Sequence, residues 1–286
     1  MATLKTLRTR IKSVKNTRQI TKTMKMVAAA KVRRARTAVE NARPYAAKLA
    51  AMLANIAAGA TVGGPLLLSG HGHVKTVRLI VCGSDRGLCG GLNSNLLKAA
   101  AKWVQAQQAE GKTVQLVAVG RKIQVGLKSS FPQLLVASYA DMGRTVEFSH
   151  AQTIATEALH AFTQAECQQV HLLASHMVSM LSQTPTFTQL MPFAVPTTGT
   201  TSGAPEYEPA EEVVLEHLLP LNLNMQVFAA LLETSASEQA ARMTAMDSAT
   251  RNAGEMIRKL SIQYNRSRQA AITKELIEII SGAEAL

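Results

Sequence analysis

The sequence predicts an α/β protein in which two long terminal helices pair as an antiparallel coiled coil around an inserted α/β domain. Three patterns predict this architecture. Residues 1–58 contain no glycine and show helical apolar spacing, strand and helix patterns alternate over 74–195, and no proline follows Pro220. Only 4% of the 286 residues are aromatic, which argues against an all-β fold.

The first predicted helix covers residues 1–58. Leu4, Leu7, Ile11 and Val14 are spaced by three and four residues, which is the repeat of one helix face. Further apolar residues, among them Ile20, Met24, Val27, Ala28 and Val39, continue the helix with a less regular stripe. Pro44 is expected to bend this helix or to mark a join.

Residues 59–73 are rich in glycine and are predicted to form a loop. Strands follow where β-branched and apolar residues cluster, and helices follow where apolar residues recur every three or four positions. The predicted strands are 74–83, 113–120, 134–138, 170–179 and 186–193, and the predicted helices are 91–110, 121–129 and 147–164. Their alternation indicates a largely parallel sheet.

The last predicted helix follows a linker. Residues 196–209 are rich in Pro, Thr and Gly, and residues 210–286 again read as one long helix. The predicted domains are therefore 1–58, 74–195 and 210–286. Because the second long helix is about 15 residues longer, about 20 Å of it should extend unpaired, with apolar residues on several faces. Such a segment needs an enclosing partner.

The positive charge lies almost entirely in the first predicted helix. Residues 1–50 hold 14 Lys and Arg and one acid, whereas the other residues hold 17 basic and 18 acidic side chains. A cationic segment of this kind predicts an anionic partner, either nucleic acid, a membrane surface or an acidic protein. A solvated helix face would also explain it.

Several classes of protein are excluded by absent signals. No run of apolar residues is long enough to span a membrane, and no secretory signal pattern occurs. Three scattered cysteines predict neither a disulfide framework nor a zinc site, and His71 and His73 are expected to lie in a surface loop. No cofactor and no catalytic cluster are expected.

The glycine-rich segment 84–95, SDRGLCGGLNSN, follows a strand and enters a helix. It lacks both the dinucleotide-binding fingerprint and the Gly-Lys-Ser/Thr of a phosphate loop. Gly87, Gly90 and Gly91 are therefore expected to allow tight packing, although an anion at the helix N-terminus is the alternative. Cys89 is expected to be a packed thiol.

Four segments resemble the gamma subunit of F-type ATP synthases, of the bacterial type. Residues 11–35 resemble the N-terminal signature of that family, 84–95 its middle motif, and 230–253 and 264–286 its C-terminal signature. The matching segments follow in order along the whole chain. Because the N-terminal signature begins directly after Met1, we expect a bacterial protein or a mature form rather than one with a mitochondrial targeting peptide.

The resemblance implies a fold and a function. The fold would be a coiled coil of the terminal helices with a Rossmann-like α/β foot. The function would be that of a noncatalytic rotor shaft, which couples rotation of the membrane c-subunit ring to the catalytic sites of the beta subunits. The implied partners are three alpha and three beta subunits, the epsilon subunit and the c-ring, at the cytoplasmic face of the bacterial inner membrane.

The resemblance also implies which residues of the rotor contact the stator. Some of them are polar positions of the C-terminal signature. The contact residues are Lys22, Met24, Lys25, Arg33, Arg34, Arg242, Gln269, Thr273, Ile277 and Ile280. The basic members would face an acidic segment of the beta subunits. Two other classes stay open from the residues alone: a basic coiled-coil nucleic-acid-binding protein, and an α/β enzyme with a dinucleotide site.

Overall fold

The computed structural model describes residues 3–59, 65–141, 145–193 and 211–284. Six helices and five strands lie in this part of the chain. The helices are α1 (Leu4–Gly59), α2 (Leu66–Ser69), α3 (Leu92–Ala109), α4 (Arg121–Ser130), α5 (Phe148–Thr163) and α6 (Glu211–Glu284). The strands are β1 (Thr76–Cys82), β2 (Thr113–Val119), β3 (Leu135–Tyr139), β4 (Gln169–Met177) and β5 (Gln183–Met191).

The five strands form one sheet in the order β3-β2-β1-β4-β5. The first four strands are parallel, with Leu79 of β1 opposite Leu116 of β2 and His171 of β4. The last strand, β5, runs antiparallel to β4 as the second arm of a hairpin. The predicted largely parallel sheet between two long helices is therefore confirmed.

Both faces of the sheet are buried, which explains why its central strands read as continuous apolar runs. Ile80 and Cys82 of β1 point into a core shared with α5, α1 and α6. Leu79 and Val81 alternate with them and point into a second core beneath α3 and α4. The sheet is thus the middle layer of three.

The chain divides into two compact units, which are described separately. The terminal-helix unit comprises Met1–Ala28 and Met243–Leu286, and the sheet unit comprises Ala29–Arg242. Within the sheet unit, the end of α1 and the beginning of α6 pack on the sheet. Leu49, Leu53, Leu215, Leu219 and Leu223 are buried in the core of that face.

Both long helices contain a proline: α1 continues through Pro44, and α6 includes Pro220 near its beginning. The structure differs from the prediction between α1 and β1. The loop predicted for 59–73 contains the one-turn helix α2. The predicted linker 196–209 lies outside the described residues. None of the described helices is long and apolar enough to cross a membrane.

A buried arginine lies in the middle of the sheet. Arg78 of β1 is only 2% exposed. Its guanidinium donates hydrogen bonds to Glu157 of α5, to Gln115 Oε1 at 2.9 Å, and to Glu166 Oε2 at 3.4 Å. Because a buried charge is costly unless it is paired, these acceptors are what allow Arg78 to remain in the core.

Candidate functional site

The terminal-helix unit is an antiparallel helix pair with a defined register. Arg8 Nη2 donates to the hydroxyl of Tyr264 at 3.1 Å, and Thr21 Oγ1 lies 2.8 Å from Thr250 Oγ1. Lys25 Nζ lies 2.5 Å from Asp247 Oδ1. The two residue numbers of each pair add up to 271 or 272, so the register does not shift along the unit.

The seam between these helices repeats every three and four residues, as in a left-handed coiled coil. Within the unit, its positions on α1 are 4, 7, 11, 14, 21, 25 and 28, and those on α6 are 243, 246, 250, 253, 257, 260 and 264, all buried or half-buried. Most of the buried side chains at these positions are apolar. They are Leu7, Ala28, Met246 and Ala253, and Thr21 is the polar one.

Two polar layers interrupt this seam. The Lys25–Asp247 ion pair and the Thr21–Thr250 hydrogen bond occupy layers that a stable coiled coil would fill with Leu or Ile. The hydrogen bond from Lys25 holds the pKa of Asp247 below its usual range, and Arg251, 3.2 Å from the other carboxylate oxygen, adds to this effect. Polar layers favour one register, because a shifted register would separate the partners.

The outer surface of α1 carries four of the ten predicted contact residues. Lys22, Arg33 and Arg34 are exposed, and Met24 is half-buried beside the seam. Lys25 differs from them, because it faces α6 in its ion pair with Asp247. On the part of α1 in the terminal-helix unit, three large apolar side chains also point outward. They are Ile20, Met26 and Val27, each more than half exposed.

The regular part of the predicted apolar stripe, Leu4 to Val14, lies in the seam, whereas its less regular continuation does not follow it. Ile20 and Val27 do not lie in the seam, which passes through Thr21 and Lys25 instead. Two apolar stripes run along this part of α1, and the periodicity does not show which of them meets the other helix.

The end of α6 extends beyond the beginning of α1. On the observed register Leu4 faces residue 267 or 268, so residues 269–284 have no α1 residue opposite them among the described residues. This C-terminal tip is about 24 Å long. Its large apolar side chains are all exposed, namely Ile272, Leu276, Ile277, Ile279 and Ile280.

The tip also holds the last two predicted polar contact residues. Gln269 and Thr273 are exposed, and Thr273 Oγ1 donates to the carbonyl of Gln269 at 3.0 Å. A helix with isoleucines around several sides and no covering partner is unusual in water. The predicted unpaired apolar end is therefore present, with the length expected from the sequence.

Arg242 lies in the sheet unit, and its contacts are intramolecular. Its Nη2 donates to the carbonyl of Gly87 at 3.2 Å and to the carboxylate of Glu238 one turn earlier. Its side chain is only 11% exposed, and its guanidinium joins α6 to the glycine-rich loop 83–91. The sequence predicted that Arg242 contacts another subunit. It did not predict the contact with the glycine-rich loop, because no pattern of neighbouring residues indicates such a contact.

Two glycines at this edge of the sheet, Gly83 and Gly120, are required by packing. A Cβ on Gly83 would lie 2.3 Å from Ile123 Cγ1, and one on Gly120 would lie 2.8 Å from the carbonyl oxygen of Gly83. The tight packing predicted at Gly87 and Gly91 is wrong, because a Cβ at either would meet its nearest atom at 3.6 Å, whereas Gly90 has a positive φ of 59°. Cys89 is buried beside Ser84 and Asn93, as a packed thiol.

α/β sheets bind ligands at the carboxyl ends of their strands, where the strand order reverses. Here β1 and β4 form that point, and α6 lies across it. Ser237 Oγ donates to the carbonyl of Ser175 at 2.9 Å, Ala241 packs into the core beneath α3 and α4, and Arg242 binds the loop. A helix therefore occupies the position at which a dinucleotide would bind.

The titratable groups of the described residues do not form a reactive site. Burial raises the pKa of Cys82 to about 12 and that of Cys167 to about 11, so both thiols stay protonated. His71 was expected in a surface loop, but its Nε2 lies 2.7 Å from the carbonyl of Phe162. Within the described ranges, no group of three His, Cys, Asp or Glu side chains could hold a metal ion.

The sequence and the fold both match known proteins. A family model described as ATP synthase matches residues 3–286. The ATP synthase gamma chain of Fuscovulum blasticum is 51% identical over 288 residues, and that of Methylorubrum populi is 51% identical over 295 residues. The gamma chain of Rhodospirillum rubrum is 47% identical. Each alignment covers 100% of both chains.

Solved structures give the same result. A chain of the central stalk and c-ring of the Tetrahymena thermophila mitochondrial ATP synthase is 29% identical with a TM-score of 0.61, covering 80% of this chain and 99% of that one. A chain of the Euglena gracilis ATP synthase, at 19% identity, shares the fold with a TM-score of 0.70, covering 99% and 94%. The chain described here belongs to the ATP synthase gamma chain family.

Proposed function

We propose that this chain is the central rotor shaft of a proton-translocating ATP synthase and that it acts by shape and charge, without chemistry of its own. The observation that carries the proposal is the C-terminal tip, where α6 continues alone for residues 269–284 with exposed isoleucines. An apolar helix end of this length needs a surrounding sleeve. A ring of three alpha and three beta subunits would supply one.

The coiled-coil seam supports the same function. A rotor must keep its two helices in one register while torque acts on one end. The Lys25–Asp247 and Thr21–Thr250 layers resist sliding, because each partner would lose its hydrogen bond in a shifted register. Two of the four buried apolar side chains of the seam are alanines, so the enclosing subunits would contribute to holding the pair together.

The outer face of α1 would carry the moving contact. Lys22, Arg33 and Arg34 are exposed and form no ion pair among the described residues, so they are free to face an acidic surface of the beta subunits. Exposed charges attract over several ångströms without a fixed geometry, and exposed pairs contribute only ~0–1 kcal/mol each. A contact of that kind can be released at every step of rotation.

The apolar contacts would lie at Met24 and in the tip. Met24 is unbranched and half-buried, so it can adapt to changing neighbours as the shaft turns. Ile277 and Ile280 would touch the inner wall of the ring, and Gln269 and Thr273 would face its polar groups. Arg242 would act indirectly, by fixing the glycine-rich loop against α6.

The noncatalytic role is proposed because the described residues offer no site for a reaction. The thiols are buried, the dinucleotide position is filled by α6, and ATP chemistry would belong to the beta subunits. The chain would be peripheral at the membrane through the c-ring and the epsilon subunit, on the cytoplasmic side of the bacterial inner membrane. The cationic surface would also suit a nucleic-acid-binding protein. The similarity to gamma chains over the full length argues against that alternative.

Affinity purification of the tagged chain from solubilised membranes tests this function. Recovery with alpha, beta, epsilon and c subunits, with alpha and beta in threefold excess, is expected. A nuclease-treated sample serves as the control, since it must give the same proteins. The proposal would be overturned if the chain were recovered alone. It would also be overturned if the chain were recovered with nucleic acid bound to the Lys and Arg side chains of α1.

A further inference from the structure

The terminal-helix unit has a defined end, at which α1 begins and α6 continues alone into the tip. Among the described residues, the polar contact between the two helices that lies nearest this end joins Arg8 to Tyr264. Arg8 Nη2 donates to the Tyr264 hydroxyl at 3.1 Å, and the guanidinium carbon lies 5.9 Å from the centre of the ring. A hydrogen bond and a cation–π contact therefore join the helices here.

The beginning of α1 is held by its own contacts as well. Thr3 Oγ1 accepts a hydrogen bond from the Thr6 amide at 3.3 Å, which is the bond of a helix N-cap. Leu7 is only 1% exposed, and Leu4 is half-buried in the seam. The first helix thus starts against α6, and the tip begins directly after this last apolar layer.

This end of the unit carries positive charge only. Residues 4–15 of α1 contain five Lys and Arg, residues 256–268 of α6 contain four, and neither segment contains an Asp or a Glu. The register that pairs Arg8 with Tyr264 places the two segments side by side. Like charges on facing helices repel each other over about 10 Å at 0.1 M salt. The two helices would therefore tend to separate at this end.

An ion pair cannot close this end, because neither segment supplies a carboxylate. Farther along the seam, Asp247 accepts from Lys25 and also lies 3.2 Å from Arg251. At Tyr264 a cation is instead accepted by a neutral side chain, through the hydroxyl oxygen and the negative face of the ring. Phenylalanine would offer only the ring, and serine only the oxygen.

We propose that Arg8 and Tyr264 are positioning residues of the rotor, which hold the cationic end of the coiled coil closed and so fix the point at which the tip begins. This inference rests on the proposed rotor function. If α1 detached as far as Val14, the unpaired part of α6 would lengthen from about 24 Å to about 40 Å. A longer single helix bends more easily than a helix pair, so the end of the shaft would be less well placed inside the ring.

Hydrogen–deuterium exchange of the full chain, without other subunits and at low salt, tests the closure of this end. In Tyr264→Ala the amides of residues 8–14 should exchange about three- to tenfold faster than in the wild type, because a cation–π contact and a hydrogen bond are lost. Amides of residues 21–28, beside the Lys25–Asp247 pair, are the internal control and should not change. Equal exchange of residues 8–14 in the variant and the wild type would overturn the proposal.

Tyr45→Ala is the matched control variant. It removes a tyrosine that is also on α1 but lies in the sheet unit, where it is 51% exposed. Exchange of residues 8–14 should stay at the wild-type rate in this variant. An increase as large as that in Tyr264→Ala would overturn the proposal, because the effect would not depend on the contact with Arg8.

A conservative variant and salt separate this contact from ordinary packing. Tyr264→Phe keeps the ring and loses only the hydroxyl, so its exchange should lie between those of the wild type and Tyr264→Ala. The difference between Tyr264→Ala and the wild type should decrease as salt is added, because salt screens the repulsion between the two cationic segments. A difference of the same size at low and high salt would overturn the proposal.

The assembled enzyme gives the functional test. Membranes that contain Tyr264→Ala should lose proton-driven ATP synthesis at low salt, and Tyr264→Phe should restore part of it. If Tyr264→Ala opens the end of the coiled coil but supports ATP synthesis at the wild-type rate, the positioning role is overturned. If Tyr264→Ala does not fold, as its melting temperature will show, the salt dependence of Tyr264→Phe decides.

This proposal and the rotor function fail separately. The exchange measurement uses this chain alone, so it can contradict the role of Arg8 and Tyr264 while purification with alpha and beta subunits still supports the rotor. Failure of the unmodified chain to purify with those subunits would instead contradict the rotor function and leave the measured closure of the helix pair unchanged.

Discussion

Lys25 Nζ lies 2.5 Å from Asp247 Oδ1, across the seam between the first and the last helix. The two residues are 222 positions apart in the sequence, yet they form a polar layer near one end of the terminal-helix unit. Their ion pair fixes which turn of α1 faces which turn of α6. Charge thus adds to packing in specifying the register of this coiled coil.

The Lys25→Met variant should raise the pKa of Asp247 toward its ordinary value of 3.8, because the hydrogen bond from Lys25 is the largest cause of its lowered pKa. Since the folded-state pKa is depressed, the stability from this pair is complete above pH ~4 and is lost as pH falls through the lower, folded value. An NMR titration of the Asp247 carboxyl measures this. Arg251→Met is the control and should shift the pKa less; equal shifts would contradict the assignment.

Replacing Arg78 should strongly destabilise the sheet unit. Arg78→Met would leave Glu157 without its charged partner inside the structure, which costs about 3–5 kcal/mol for a fully buried pair. Because Glu157 is partly exposed, the lower end is expected. Urea unfolding gives the free energy of unfolding.

The matched control for Arg78 is Arg121→Met. Arg121 pairs with Asp141 at the surface, where both side chains are more than half exposed. Its loss should cost less than about 1 kcal/mol. A similar cost for the two variants would mean that burial does not decide the value of the Arg78 pairs.

The glycine-rich loop should tolerate a methyl group at one glycine and reject it at another. Gly83→Ala places a Cβ 2.3 Å from Ile123 Cγ1 and should cost about 1–3 kcal/mol. Gly87→Ala, in the same loop, meets its nearest atom at 3.6 Å and should leave the melting temperature unchanged. Equal melting temperatures for both variants would show that the backbone near Gly83 adjusts freely.

Acid should weaken the packing around Trp103. Burial lowers the pKa of His171 below 6.5, with Lys112 as a smaller cause, and the ring of His171 lies 5.3 Å from that of Trp103. A histidine held neutral in the fold binds more protons when unfolded, so its contribution to stability is complete above pH ~6.5 and decreases as pH falls toward the lowered value.

Trp103 is the only tryptophan, so its fluorescence reports this protonation. His171→Gln should remove the pH dependence of both fluorescence and stability between pH 6.5 and the lowered pKa. His217→Gln, at an exposed position of α6, is the control and should leave it in place. Persistence of the transition in His171→Gln would assign it to another group.

Shortening the C-terminal tip should impair function without affecting the fold. A chain lacking residues 270–286 keeps every pair of the seam up to Arg8–Tyr264 and all of the sheet unit. Its melting temperature should match that of the full chain, whereas torque transmission or assembly with alpha and beta should decrease. Normal coupled ATP synthesis by membranes containing the shortened chain would contradict the role proposed for the tip.

The helical and strand patterns were sufficient to predict the fold class. Each helix and strand has its own repeat of apolar residues, which depends only on residues close together in the sequence. These repeats predicted both long helices, the order of the elements between them and the mostly parallel sheet. The excess length of α6 and its apolar end were also predictable, since they need only residue counts. The domain boundaries at 58, 74, 195 and 210 stay predictions.

The contacts of the candidate site were harder to predict from the sequence. Charge composition indicated the exposed cations of α1, and resemblance indicated Arg242, but neither showed that Lys25 faces Asp247 or that Arg242 holds the loop at Gly87. Each of these contacts joins residues far apart in the sequence. No local pattern distinguishes a lysine in the seam from one in solvent.

The sequence by itself therefore determined the elements of this protein, their order, its family and its uneven charge. Only the tertiary structure decided that Ile20 points outward while Thr21 lies in the seam, and that Arg78 is buried with its acceptors. The reason is physical: periodicity fixes which residues share a face, whereas the identity of the facing partner depends on how distant segments pack together.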